Sequence, residues 1–188
     1  MGGIAPLLSQ RHLRRPAHLS LREAMTLVTV GNGRQSFQRL LDAVERIAHV
    51  LPRPVIIQCG HTPFSSPDLE VRNFIENEEF LRLLNDASLV ISHAGAGTII
   101  QAVRAGHLPV VMPRLVRYGE IVDDHQLELA EALGRVGKVV PVLDPSDLGA
   151  ATRKALAFPR ITANTTTPRL LSLVARCLVQ ASQTSDRD

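Results

Sequence analysis

The chain has no tryptophan, one tyrosine and five phenylalanines in 188 residues. So sparse a set of rings argues against a single-strand nucleic-acid platform, which stacks bases on exposed aromatics. Cysteine is equally scarce. Cys59 and Cys177 lie far apart at no metal-ligand or redox spacing, which points to a reduced intracellular compartment and to packing roles for both thiols. No run approaches the roughly 18 to 20 apolar residues of a membrane span, and the N-terminus lacks the apolar core of a secretory signal. A net charge of +3 is too small to imply nucleic acid by itself. The expectation is a soluble, cytoplasmic protein without a nucleic-acid partner.

What is present fits one α/β domain: 45% of the residues are apolar, enough for a sizeable core. Residues 1–24 stand apart. The stretch "RHLRRPAHLSLR" gathers Arg11, Arg14, Arg15 and Arg22 ahead of the first strand, and it reads as a poorly ordered basic leader or as a contact for anionic lipid. Residues 182–188 read as a polar tail. Between them, over residues 25–181, strand-like and helical patterns alternate. Strands are expected at Met25–Val30, Val55–Gln58, Glu70–Phe74, Leu89–Ser92, Pro109–Met112 and Val139–Val142. Helices are expected around Gln35–Val50, Glu78–Asp86, 97–105, Asp124–Leu133, Ser146–Leu156 and Arg169–Ala181. This rhythm predicts a mainly parallel, Rossmann-like sheet with helices on both faces, whose ligands gather at the carboxyl ends of the strands.

Three loops after strands carry polar chemistry. "SHAGAGT" (92–98) is a strand end, a tight turn and a helix start, where unpaired N–H groups and the small residues Gly95 and Gly97 suit either an anion or a close packing contact. "VTVGNGRQSF" places Gly31, Asn32 and Gly33 after the first strand at a spacing that falls short of a dinucleotide fingerprint. The third, "MPRLVRYGEIVDDHQLELAEALG", concentrates Arg114, Arg117, Tyr118, Glu120, His125 and Gln126. Either Asp123 or Asp124 can cap the helix that follows, and the rest of the loop fits a hydroxyl-rich or phosphorylated ligand or a solvated charged surface.

"ISHAGAGTIIQAVRAGHLPVVMPR" followed by "YGEIVDDHQLELAEALG" resembles the C-terminal, donor-binding half of GT-B glycosyltransferases of family 28. The likeness is greatest to the separate catalytic subunits of two-component sugar transferases of the dolichol-linked and bacterial exopolysaccharide types. It runs from about Leu27 to Val140. The resemblance implies that Gly95, Ala96, Gly97 and Thr98 hold a nucleotide diphosphate, that His93 faces it, and that Gly31, Asn32 and Gly33 line the cleft. It implies that His125 and Gln126 reach the donor sugar, with Glu120 and Asp124 in the same loop signature. Gln101 stands where many members carry a ribose-binding glutamate, so the nucleotide contact loses its charge assistance. Arg114 and Arg117 are candidates for meeting diphosphate charge, or are surface residues. His125 and Glu120 are the local candidates for a catalytic base, unless a partner supplies it.

The resemblance implies transfer of a sugar from a UDP-sugar to a lipid-linked saccharide, with inversion; residues 25–181 contain no Asp-x-Asp motif or His/Cys cluster, so no metal and no resident cofactor are expected. The resemblance also implies a membrane-anchored acceptor-binding subunit as partner, which recruits the chain to the inner face of the membrane. The apolar face of Leu170, Leu171, Val174 and Leu178 is a candidate either for docking that partner or for core packing. A non-catalytic nucleotide-sugar-binding module and an epimerase fragment are the alternative functions.

Overall fold

A computed structural model describes residues 24–160, together with Ser172, Val174 and Ala175. The expected leader, the polar tail and Cys177 lie outside the described residues. Among the described residues six strands form one parallel sheet: β1 (Thr26–Thr29), β2 (Val55–Gln58), β3 (Glu70–Arg72), β4 (Leu89–His93), β5 (Val110–Met112) and β6 (Val140–Pro141). Their order is β3-β2-β1-β4-β5-β6. The chain thus builds outward from β1 in one direction, then returns to β1's other edge and builds away again. That reversal opens a crevice between the loops that leave β1 and β4, the usual ligand position in such sheets.

The α-helices α1 (Gln38–Ile47), α2 (Asn77–Asp86), α3 (Ala96–Arg104), α4 (His125–Arg135) and α5 (Leu148–Leu156) cover the sheet. Alternate strand residues serve opposite faces. Val28, Ile57 and Ile91 pack with Leu40, Leu41 and Val44 of α1 and Leu148 and Ala151 of α5. Leu27, Ile56 and Val90 pack instead with Phe80 and Leu84 of α2 and Ala102 of α3, while Val111 meets Ile99, Leu129 and Leu133. Both faces being buried explains why the strands read as continuous apolar runs.

Several elements are shorter than their sequence patterns. Helix α1 starts at Gln38 rather than Gln35 because the Gln35 and Ser36 carbonyls accept from the Arg114 guanidinium, and the Phe37 N–H donates to Thr62 Oγ1. Strand β3 ends at Arg72, after which the Asn73 carbonyl accepts from Gly60 N–H across a turn. Beyond α5, Arg160 donates to the carbonyls of Asn85, Ala87 and Ala105, closing the carboxyl ends of α2 and α3 with one cation. Of the helix expected at Arg169–Ala181, Ser172, Val174 and Ala175 are helical, and Val174 is buried against the Ile99–Leu133 cluster. Val174 therefore serves core packing. Leu170, Leu171 and Leu178 lie outside the described residues.

Candidate functional site

The crevice is a cleft of about 380 Å³ at the carboxyl edge of the sheet. Thr29, Gly31 and Asn32 line it from β1 and its loop, Gln58 from β2, and His93 from β4. Ile75, Asn77 and Phe80 close the α2 side; Gly95, Gly97, Thr98 and Gln101 close the α3 side. Its floor is a chain of hydrogen bonds. Thr29 Oγ1 accepts from Gly31 N–H at 3.1 Å and from Gln58 Nε2 at 3.2 Å, and Gln58 Oε1 accepts from Ile75 N–H at 3.1 Å. Buried amide and hydroxyl groups are thereby satisfied, which fixes the three loops relative to one another.

The His93 ring is wedged between two glycines. A Cβ on Gly31 would stand 2.4 Å from His93 Cε1, and one on Gly95 would stand 2.1 Å from His93 Nε2. Gly95 thus makes room for a side chain of the protein, whereas a Cβ on Gly97 would meet nothing within 4 Å and faces the open cleft. Burial, and the positive charge of Arg114 after it, push the His93 pKa from 6.5 down to about 4, against an opposing contact with the Thr29 backbone. The imidazole is neutral at pH 7. Helix α3 begins with Gly95 as its cap and no side-chain cap bond. The N–H groups of Ala96, Gly97 and Thr98 therefore have no intrahelical acceptor, and the positive end of the helix lies at the cleft. Ala96 itself packs against the Ile99 cluster rather than lining the cleft.

The loop after β5 forms a second polar group, outside the lining of the cleft. Arg114 is 3% exposed, and its guanidinium is committed to protein carbonyls. It donates to Val30 at 3.0 Å, Gln35 at 2.8 Å and Glu120 at 3.1 Å, and it lies over the Phe37 ring. The expectation that Arg114 meets diphosphate charge is corrected accordingly: it ties the β1 and β5 loops together. Gly33 leaves the space beside that guanidinium, 3.6 Å from where its Cβ would be, and is not a lining residue. Arg117 stacks on Tyr118 at the surface.

Glu120 is corrected in the same way. Its carboxylate accepts from Arg39 Nε and Nη2 at 3.0 and 2.7 Å and from Leu115 N–H at 3.0 Å, and the side chain is 6% exposed. A carboxylate so bound ties the loop to α1. Asp124 Oδ1 accepts from Val116 N–H at 3.4 Å, and Gln126 Oε1 accepts from Arg114 N–H at 3.2 Å. Asp123, not Asp124, accepts from the first N–H of α4. His125 and Gln126 are partly exposed at the start of that helix. Among the described residues no group of three or more His, Cys, Asp or Glu is arranged to hold a metal, and no helix is long and apolar enough to cross a membrane.

Gln58, Ile75, Asn77, Phe80 and Thr29 were not expected in the site. Thr29 and Gln58 had a signal, each being the polar residue at the carboxyl end of its strand, in "TLVT" and "VIIQ". Asn77 and Phe80 had none, since α2 reaches the cleft only through the tertiary fold.

A parallel α/β sheet with a ligand-sized cleft at its switch point defines an α/β domain of the Rossmann type. Residues 25–172 match the model of the glycosyltransferase family 28 C-terminal domain, and the chain belongs to that family. It is 32% identical over 81 residues to the UDP-N-acetylglucosamine transferase subunit ALG13 of Yarrowia lipolytica, which covers 43% of this chain and 39% of that protein. Over 124 residues it is 30% identical to the human protein of that name, covering 60% of this chain and 11% of the other. An N-acetylglucosamine transferase of Acinetobacter baylyi that acts on a pyrophosphoryl-undecaprenol is 32% identical over 109 residues, with 53% and 28% covered. The chain thus spans well under half of these relatives.

Among solved structures, the glycotransferase of kitacinnamycin superposes with a TM-score of 0.57 at 22% identity, over 95% of this chain and 44% of that one. MurG of Acinetobacter baumannii gives 0.51 at 20% identity, over 86% and 48%. At such identities these two establish the shared fold, and in each the match takes up less than half of the longer chain.

The wedge predicts a coupled pair of substitutions. Gly95→Ala should destabilise the fold by about 1–3 kcal/mol through overpacking, and His93→Ala in the same chain should recover much of that loss, as a double-mutant cycle by denaturant unfolding would measure. The depressed His93 pKa predicts a pH dependence of defined sign. Below pH 6.5 the unfolded chain binds a proton that the folded chain does not, so this group lowers stability as the pH falls from 6.5 towards 4, by at most about 3 kcal/mol. Unfolding of His93→Gln should lack that component across the same window.

Proposed function

We propose that the chain is the donor-binding, catalytic component of an inverting glycosyltransferase that moves a sugar from a UDP-sugar to a lipid-linked saccharide in polysaccharide biosynthesis. The observation that carries this reading is the cleft between the β1 and β4 loops, which Thr98 lines and at which the uncapped start of α3 lies. As UDP departs, negative charge grows on the diphosphate. The N–H groups at Ala96, Gly97 and Thr98 are preorganised to stabilise it, and cost no reorganisation at that moment. The Thr98 hydroxyl adds a donor. Neutral His93 contributes a hydrogen bond and a rigid wall rather than a charge.

Family membership and the names of the relatives favour UDP-N-acetylglucosamine as donor. Asn77 and Gln101, amides that face each other's side of the cleft, are assigned to the nucleoside, with Phe80 as its apolar wall. His125 and Gln126 are assigned to the sugar. With Glu120 held by Arg39, the candidate base is His125 of the same loop or a group on the partner subunit. Acceptor binding falls to a membrane-anchored partner subunit, which brings this chain to the cytoplasmic face of the membrane. The UDP-sugar is a substrate, and the reading invokes no resident cofactor. A binding module without catalysis is the second reading, motivated by Gln101, and sustained UDP-sugar binding without turnover in the assembled complex would favour it.

Calorimetric titration tests the donor site. UDP should bind saturably, and Thr98→Val should weaken it about tenfold, the effect of losing one hydrogen bond to a charged group. Absence of binding by every uridine nucleotide would remove the reading.

A further inference from the structure

The cations of this domain are treated differently at its two edges. At the carboxyl edge Arg39 and Arg72 are paired with carboxylates, and Arg114 is bound to carbonyls. At the amino edge a group of cations is exposed and unpaired. In a parallel sheet the helices run back against the strands, so α1 and α5 both end at that edge. They also lie side by side: a Cβ on Gly149 would stand 3.7 Å from Arg153 Nη1 and 3.9 Å from Ile47 Cγ2. Along this seam Arg46 and His49 come from α1 and the turn after it, and Arg153 and Lys154 come from α5, all of them exposed. Among the described residues none of the four forms an ion pair, and neither does Glu45, the exposed carboxylate next to Arg46.

Each of the two ends also leaves a large aliphatic side chain bare, Val50 at 58% exposure and Leu156 at 41%. The helix dipole accounts for cations in a last turn, one helix at a time. It does not account for aliphatic groups left in water beside them. Unpaired cations around exposed aliphatic side chains match an anionic lipid surface, where headgroup phosphates meet the charges and the apolar groups enter the interface. Nucleic acid, bound through charge and stacked rings, gives Val50 and Leu156 no partner. The segment with Arg11, Arg14, Arg15 and Arg22 precedes β1 and so joins the domain at this same edge.

We propose that the α1–α5 seam at the amino edge is a docking surface for an anionic membrane, with Arg46, Arg153 and Lys154 on headgroup phosphates and Val50 and Leu156 in the interface. The cleft lies at the opposite edge and stays open to its ligand and to a partner. The seam thus adds a direct membrane contact to the anchoring assigned to the partner subunit.

The test is sedimentation of the full chain with vesicles of phosphatidylcholine, alone or mixed with phosphatidylglycerol. The chain should sediment with the mixed vesicles and not with phosphatidylcholine alone, and added salt should weaken the binding. Combining Arg46→Gln, Arg153→Gln and Lys154→Gln should weaken it roughly a hundredfold, the effect of three charges near a lipid surface. Val50→Ser with Leu156→Ser should weaken it about tenfold. All these positions are exposed, so thermal unfolding of the variants should match the wild type. A fourth form, with Arg11, Arg14, Arg15 and Arg22 replaced by Gln, should keep the preference for phosphatidylglycerol.

Equal binding to the two kinds of vesicle, or to neither, would overturn the proposal. So would unchanged binding by the triple variant, including the case in which the fourth form alone loses it. Retention by poly(U) RNA without binding to vesicles would assign the cations to another polyanion and overturn it as well. UDP titration of the same samples keeps the two readings apart. UDP binding without vesicle binding sinks this proposal alone; vesicle binding without UDP binding supports it while the functional reading fails.

Discussion

A single buried cation holds the carboxyl edge of this domain in one arrangement. The Arg114 guanidinium, leaving β5, reaches across to the Val30 and Gln35 carbonyls beside β1 and back to the carbonyl of Glu120 in its own loop. Burial alone would lower the pKa of the guanidinium, and the carboxylate of Glu120 offsets part of that. Glu120 is in turn fixed by Arg39 of α1. Two short loops that would otherwise move independently are thereby one body. Removing one member of such a network leaves charges or carbonyls buried without partners, which costs far more than the surviving bonds return.

On that frame the cleft combines rigidity with very little formal charge. His93 sits between Gly31 and Gly95 and is kept neutral, the floor is made of Thr29 and Gln58, and the side chains that line the opening are amides, hydroxyls and apolar groups. Among the described residues that line the cleft, the electropositive element is then the end of α3. Dipoles of fixed backbone groups suit a charge that grows during reaction, because they need not reorient as it forms. The strand order, which places β1, β4 and β5 side by side, sets the cleft between the β1 and β4 loops next to the loop that follows β5.

The parallel sheet was legible because strand and helix periodicities alternate cleanly and both sheet faces are buried. The residues around "SHAGAGT" were legible too, since a strand, a small-residue turn and an apolar helix leave few other geometries. The reasons for individual residues were harder to read. Gly95 suited either a ligand's approach or a close packing contact, and the His93 ring fills the space beside it; only the ring's position in space shows this. Arg114 and Glu120 looked like exposed loop chemistry and are buried ties, because their partners Val30, Gln35 and Arg39 are some eighty residues away in the chain. Between Asp123 and Asp124 the sequence offers no preference, and the turn into α4 decides it.

The most direct measurement of the central claim is a backbone amide NMR titration of the full chain with UDP. The account predicts that the largest shifts fall on Gly31–Gly33 and on Gly95–Thr98, with smaller ones at Asn77 and Gln101. Shifts concentrated away from the carboxyl edge of the sheet, with the amides of Ala96, Gly97 and Thr98 unmoved, would contradict it.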